Sequence, residues 1–306
     1  MNELITVENE AGERLDKYLS EEFSDRSRSF LQKLIKEQSV KVNDKPVKAS
    51  YRLVLGDCVS VFFPEPEMPD IAPENIPLTI IYEDSDVIVI DKPKQMVVHP
   101  APGHYSGTLV NALLYHCRDN LSGINGKLRP GIVHRIDMDT TGSLVVCKTD
   151  AAHRSLSAQL KEHSIHRVYE AVVHGNLKDD TGCIDMPIGR HPTERKKMST
   201  HAKNGREAVT HYHVLERFGS YTYVQCRLET GRTHQIRVHM ASIGHPLLGD
   251  NVYGLKKSPF PKLQGQTLHA KTLGFIHPGT GEYMEFNAPL PKYFNDILDQ
   301  LRINRK

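Results

Sequence analysis

Apolar residues recur at helical spacing at Leu15, Tyr18, Leu19 and Phe23. After Ser24-Asp25 they recur again at Phe30, Leu31, Leu34 and Ile35. This predicts two amphipathic helices, with Arg28, Lys33 and Lys36 off the apolar stripe of the second. Alternation with period two then takes over. Val40-Lys-Val42 reads as a strand that turns at Asn43-Asp44 and returns, and Gly56-Asp57 precedes a further strand from Val59 to Phe63. Together they predict a small αβ domain over residues 12–63. Residues 64–77 break both periods with five prolines and four acids, which describes a semi-rigid linker.

From residue 78 strand signals dominate. Two strand segments flank the acidic turn of Glu83-Asp-Ser-Asp86 and end at Lys92-Pro93, before Val97-Val-His-Pro100. A helix follows from about Thr108 to Cys117, its buried side Leu109, Ala112, Leu113 and Cys117. Ile132-Val133 and Leu144-Val145-Val146 are apolar runs on either side of a polar loop, His134 to Ser143. Another helix, Ala151 to His163, shows Leu156 and Leu160 on one side. Strands are expected over His166 to Gly175 and, around Phe218-Gly-Ser220, over Thr210 to Thr230. Gln235, Ile236, His239, Met240 and Ile243 return to helical spacing, a hairpin turns at Pro278-Gly-Thr-Gly281, and a helix closes the chain after Pro291. Residues 78–306 therefore read as one α+β domain.

Composition narrows the class. In 306 residues, 39% hydrophobic and 25% charged, there is room for one large core and one small one. No run approaches the ~20 apolar residues a membrane helix needs. Met1 to Lys17 alternates charge with apolar residues unlike a secretory leader, so a cytoplasmic location is expected. Five scattered cysteines without a C-x-x-C pair read as buried thiols. The net charge of +2 hides an uneven distribution: eight Lys/Arg against two acids between Arg26 and Arg52 leave +6 there, and so −4 elsewhere. Such a local basic face suits phosphate contact, and Arg28, Lys33 and Lys41 are its candidate RNA-binding residues. A second run, Arg190 to Arg206, sets six Lys/Arg against Glu194. Its Arg195, Lys196 and Lys197 suit either solubility of an exposed loop or a second phosphate contact.

Candidate chemistry centres on the polar loop. An Asp near a turn is often a backbone cap, and Asp137, with Thr140 and Thr141 beside it, admits that reading. A metal site is not expected: H-E-x-x-H is absent, and His211/His213 alternate on a strand without a third ligand. The phosphate loop G-x-x-x-x-G-K-[ST] is absent as well.

The loop itself, His134-Arg-Ile-Asp137-x-x-Thr-Thr-Gly142, resembles the HRLD-x-x-TSG signature of the RluA/RluD family of large-subunit ribosomal RNA pseudouridine synthases. Ile136 and Thr141 are mild departures. The resemblance extends to Tyr82-Glu-Asp through Lys92-Pro93, Val98-His-Pro100, Arg167-Val-Tyr169, Thr230-Gly-Arg-Thr-His-Gln-Ile-Arg237 and Gly244-His-Pro through Tyr253-Gly254. The RluD-like branch is favoured by His99 to His104 and by the amino-terminal unit. That unit is similar to S-four type RNA-binding modules, with Asp44 where Gly is usual.

The resemblance implies the pseudouridine synthase fold: a mixed, largely antiparallel sheet with flanking helices and a central cleft. It implies isomerisation of uridine without cofactor or metal, with Asp137 catalytic and Arg237 as the cation that keeps a carboxylate ionised in a water-poor pocket. Arg232 is the second candidate for that cation and otherwise an RNA contact. Tyr169 would pack on the target base, and Leu268 matches an apolar residue that packs on the base. Arg135 would fill the space a flipped nucleotide leaves, with His134 as a neighbouring RNA contact. The expected partner is RNA, large-subunit rRNA or pre-ribosomal particles, and no membrane; a monomer is expected. Two alternatives stay open, a non-catalytic ribosome-assembly factor and the same enzyme acting on tRNA.

Overall fold

The computed structural model describes residues 2–64, 71–101, 103–118, 120–194, 196–255, 260 and 263–304, residue 2 by its backbone alone. Contacts divide the chain into two compact units, Met1–Pro69 and Asp70–Lys306.

In the first unit, β1 (Asn2–Thr6), α1 (Leu15–Glu22), α2 (Arg28–Lys36), β2 (Val40–Val42), β3 (Lys45–Pro46) and β4 (Cys58–Phe62) follow one another, and the sheet order is β1-β4-β2-β3. The helices form as their periodicity predicts: Leu15, Leu19, Leu31 and Leu34 point into a core shared with Val40, Val59 and Val61. α2 starts where Ser27 accepts a hydrogen bond from the Phe30 N–H. Asn43 and Asp44 both take positive φ, 49° and 62°, so the turn between β2 and β3 tolerates Asp where Gly is usual. β1 is the strand the hydrophobic pattern misses. It pairs with β4 some sixty residues away and lies before the expected start at residue 12.

The second unit is built on a sheet of nine strands. In chain order its elements are β5 (Thr79–Glu83), β6 (Val87–Lys92), α3 (Leu109–Cys117), β7 (Thr141–Cys147), α4 (Asp150–Lys161), β8 (His166–His174), β9 (Thr181–Asp185) and the short pair β10 (Gly189–Arg190) and β11 (Met198–Ser199). Then come β12 (Val209–Arg217), β13 (Tyr221–Leu228), α5 (Gln235–Ser242), β14 (Leu268–Ile276), β15 (Tyr283–Asn287) and α6 (Lys292–Ile303). The order is β5-β6-β7-β14-β8-β13-β12-β9, with β15 also on β14. All pairs are antiparallel except β7 with β14. Strand alternation sorts the side chains. Ile88, Ile90, Leu144, Val146, Tyr169 and Cys226 pack with α3 and α5, whereas Val87, Val89, Val145 and Cys147 pack with α4 on the opposite face. α6 covers Val172 and Tyr223. Burial on both faces explains the continuous apolar runs Val87 to Ile90 in β6 and Leu144 to Cys147 in β7.

The parallel pair accounts for one motif residue. Gly142 sits at φ +108°, and a Cβ there would lie 2.3 Å from the Ala270 carbonyl oxygen, so only glycine lets β14 come this close to the start of β7. Among the described residues no helix is long and apolar enough to cross a membrane.

Candidate active site

The polar loop enters the sheet through Asp137. Its main chain turns, with the Asp137 carbonyl accepting from Thr140 N–H at 3.0 Å, but its carboxylate does not cap that turn. The side chain reaches instead to Arg237, whose Nη1 donates to Oδ2 at 2.8 Å. Behind the loop stands Lys92, fully buried, whose Nζ donates to the carbonyls of Pro93 (2.8 Å), Met96 (3.0 Å) and Met138 (3.0 Å). Burial pulls this ammonium down to about 7 against the opposing pull of Asp139, Asp137 and Asp91. The Lys92 contact pins the residue next to Asp137.

Arg237 is placed by the first turn of α5, and that turn is tied by Gln235. The Gln235 Oε1 accepts from Thr230 Oγ1 (2.8 Å) and Arg232 N–H (2.9 Å), while its Nε2 donates to the Val209 carbonyl (2.9 Å). The guanidinium then spans two carboxylates. Nε and Nη2 donate to Asp250 at 2.6 and 3.0 Å, a two-pronged grip, and Nη1 is left for Asp137. Asp250 is itself fixed by the N–H groups of Val252 (2.8 Å) and Tyr253 (3.0 Å). Burial works against the charge on Arg237, but the hydrogen bonds and negative charge of Asp250 and Asp137 outweigh it, and its pKa stands raised. Burial likewise opposes ionisation of Asp250, and Arg237 reverses it, so that pKa is lowered.

Arg135, Ile136, Asp137, Tyr169, Leu228, Arg232, Arg237 and Leu268 line one pocket. Tyr169 comes from the middle of β8 and Leu268 from the start of β14, so neighbouring strands supply an aromatic and an aliphatic wall. Burial raises the Tyr169 pKa, which keeps the phenol as O–H. Arg135 is exposed, and Arg232 holds the Glu207 carbonyl through Nε at 2.9 Å. An anion with one oxygen bound by a cation, in a pocket with apolar and aromatic walls, can act as nucleophile or base on a group attached to a flat ring held between those walls.

Other expected residues lie elsewhere. His134 Nε2 accepts the Val145 N–H at 3.0 Å, and burial pulls the ring down to about 3, so that nitrogen is held by β7 in a neutral ring. Arg28, Lys33 and Lys41 lie on the first unit: Arg28 binds the buried Asp16 at 2.9 Å, Lys33 lies 3.6 Å from Glu37, and Lys41 faces outward on β2. Lys196 is exposed in the loop between β10 and β11, and Lys197 lies 2.8 Å from Glu194. Arg195 falls outside the described residues. Glu83, His116 and Cys117 bring three ligand-type atoms within 4.8 Å of one another, but Lys148 already neutralises Glu83 at 2.9 Å. Sequence reasoning missed the grip of Asp250 and the tether of Lys92. Both stand in quoted motifs, Gly249-Asp250 and Lys92-Pro93, and that presence was the available signal.

Comparison with known proteins gives the family. Residues 86–242 match the RNA pseudouridylate synthase family model, and residues 13–59 match the S4 domain. The chain is 53% identical over 302 residues to the uncharacterized RNA pseudouridine synthase YlyB of Bacillus subtilis, covering 99% of this chain and 98% of that protein. It is 45% identical to the ribosomal large subunit pseudouridine synthase D of Zymomonas mobilis, covering 99% of each. Among solved structures, human RNA pseudouridylate synthase domain containing 1 aligns with a TM-score of 0.57 and 26% identity, over 74% of this chain and 95% of that one. With the Asp137–Arg237 pair in the matched region and near full-length relatives at this identity, the chain belongs to the RNA pseudouridylate synthase family, with an amino-terminal S4 domain.

Proposed function

We propose that this pseudouridine synthase modifies uridines of large-subunit ribosomal RNA, free or in pre-ribosomal particles, in the cytoplasm, as a monomer and without a metal. The observation that carries the residue assignment is the Arg237 guanidinium held between Asp250 and Asp137 in the pocket that Tyr169 and Leu268 also line. The names of relatives such as the Zymomonas mobilis protein support the choice of target.

The reaction breaks the bond from ribose C1′ to uracil N1 and forms one from C1′ to C5. N1 gains a proton and C5 loses one, so composition is unchanged. Asp137 is the reacting carboxylate, as nucleophile or base at the ribose, and Arg237 Nη1 holds one of its oxygens. Tyr169 and Leu268 hold the uracil between them while it turns. A uridine inside a helix is out of reach, so it is flipped, and Arg135 fills the gap with its planar guanidinium. Arg28, Lys33 and Lys41 on the S4 domain, with Lys196, Lys197 and Arg232 on the second unit, contact phosphate. Carbodiimide-based mapping of pseudouridine in total RNA, with and without the gene, tests the target. Sites in large-subunit rRNA should vanish without it, and loss confined to tRNA would refute the rRNA assignment.

A further inference from the structure

Arg237 takes one oxygen of Asp137 and leaves the other open. Facing that second oxygen is His234, whose Nε2 lies 3.9 Å from Oδ1. It lines the same pocket as Tyr169 and Leu268, and its side chain is 19% exposed. A residue preceding a helix is often its cap, yet His234 makes no capping hydrogen bond and sits at φ 57°, in the left-handed region. A non-glycine residue is strained there. The position is therefore not explained by helix initiation.

The Tyr253 hydroxyl oxygen accepts the Met198 N–H at 2.7 Å, and the same oxygen lies 2.9 Å from His234 Nδ1. With the hydroxyl's own proton given to Nδ1, the ring proton sits on Nε2. Asp137 favours the same tautomer, because its negative charge faces Nε2. We propose that His234, held by Tyr253 as the neutral Nε2–H tautomer, is a positioning residue that orients the Oδ1 oxygen of Asp137 for reaction.

The inference rests on Asp137 being the reacting carboxylate. Rotation about the last bond of an Asp side chain is soft, so one donor on one oxygen does not fix the plane of the carboxylate. Donors on both oxygens do. The 3.9 Å gap is longer than a hydrogen bond, and catalytic contacts of this kind commonly tighten once substrate fills a site. The charged groups facing the imidazole are Asp137 and Asp250, which favour its protonation, and Arg237 and Arg135, which oppose it. Burial is the largest influence, and the ring's pKa is lowered, so it donates as a neutral group.

Three full-length variants test this. His234→Phe keeps the bulk and loses both nitrogens; His234→Gln returns an N–H near the place of Nε2; Tyr253→Phe removes the hydroxyl that selects the tautomer. At saturating enzyme, the single-turnover rate of His234→Phe should fall by about 10²-fold, the scale of a misplaced reacting group. His234→Gln should recover most of that loss, Tyr253→Phe should fall between, and RNA dissociation constants should stay within about twofold. Nitrogen-15 chemical shifts, assigned by difference against His234→Gln, should show Nε2 protonated and Nδ1 bare. Tyr253→Phe should mix the tautomers.

A wild-type rate in His234→Phe, equal impairment of the Phe and Gln variants, or a proton on Nδ1 would each overturn the proposal. Should His234→Phe not fold, the Gln rate and the nitrogen shifts still decide. An active Asp137→Asn run alongside would show that the underlying assignment had failed, whereas the nitrogen shifts report the tautomer without reference to activity.

Discussion

Each unit of this protein holds a buried ion cluster, and the two are built in opposite senses. In the S4 domain one fully buried carboxylate, Asp16, is gripped by Arg14 (3.0 Å), Arg28 (2.9 Å) and Gln32 (2.6 Å), with the arginine side chains 42% and 50% exposed. In the second unit one buried guanidinium, Arg237, 6% exposed, lies between the fully buried Asp250 and Asp137, which is 18% exposed. Two cations on one anion leave a surplus of +1, and two anions on one cation leave −1. In each case the surplus charge sits on the more exposed member. The same ion-pair chemistry therefore leaves a cation exposed in one unit and an anion in the other, which is what the proposed phosphate contact and the proposed reaction at ribose each require.

The strongest way to break this comparison is to remove the surplus anion. Asp137→Asn keeps the shape of the side chain, and the cluster then sums to zero. Tritium release from uridine labelled at C5 in an rRNA transcript should be abolished, with RNA affinity within about tenfold, ~1.4 kcal/mol. Near-normal release would return Asp137 to a turn residue. Arg237→Ala attacks the pivot. Asp250, fully buried, loses its cation, and breaking such a pair costs about 3–5 kcal/mol. Denaturant unfolding should show that loss, and the single-turnover rate should drop with it. Adding Asp250→Ala should return much of the stability and none of the rate, since the cation beside Asp137 is still missing. A double variant with restored rate would mean that Arg237 serves the fold alone.

The asymmetry was only half visible in the sequence. Val40-Lys41-Val42 and the Leu15 to Ile35 stripe named their elements because period and burial coincide in a small domain. The loop around Asp137 and the turn before Arg237 were legible as motifs, and the structure brings these segments, 100 residues apart, within 2.8 Å. What motif letters do not carry is direction. His134 stands three residues before Asp137, yet its ring turns to β7, because Val145 N–H needs an acceptor. Asp250 acquires meaning only once α5 points Arg237 at it, and β1 is visible only through β4, its distant partner.

The S4 cluster yields a smaller effect with a definite pH signature. The hydrogen bond from Arg14 is the largest influence on Asp16 and, despite burial and with Gln32 and Arg28 adding to it, its pKa falls well below the ordinary 3.8. A carboxylate whose folded pKa is depressed contributes stability above its unfolded value, and that contribution is lost as pH falls through the folded one. Asp16→Asn should cost the first unit about 2–3 kcal/mol at pH 7, the scale of hydrogen bonds to a charged group. The difference from wild type should shrink as the pH drops below 3.8. A gap that stayed constant down to pH 2 would mean that packing around α1 is what was lost.

The finest test separates two cations of the S4 domain. Lys41 projects from β2 between the inward Val40 and Val42, whereas Arg28 is both exposed and bound to Asp16. If both meet phosphate, each alanine variant should lower the slope of log affinity against log salt by about 0.7–0.9, the release of one counterion. Affinity near physiological salt should change by less than tenfold. Lys41→Ala should leave thermal stability and the single-turnover rate at saturating enzyme as they were, because nothing in the core leans on it. Arg28→Ala should lower the slope by the same amount and also cut the melting temperature, since Asp16 would keep only Arg14 and Gln32. Were the Lys41 slope unchanged, the outward face of β2 would not meet RNA. Were Arg28→Ala to lose stability with an unchanged slope, the exposed cation on Asp16 would be a clamp for α1 and nothing more.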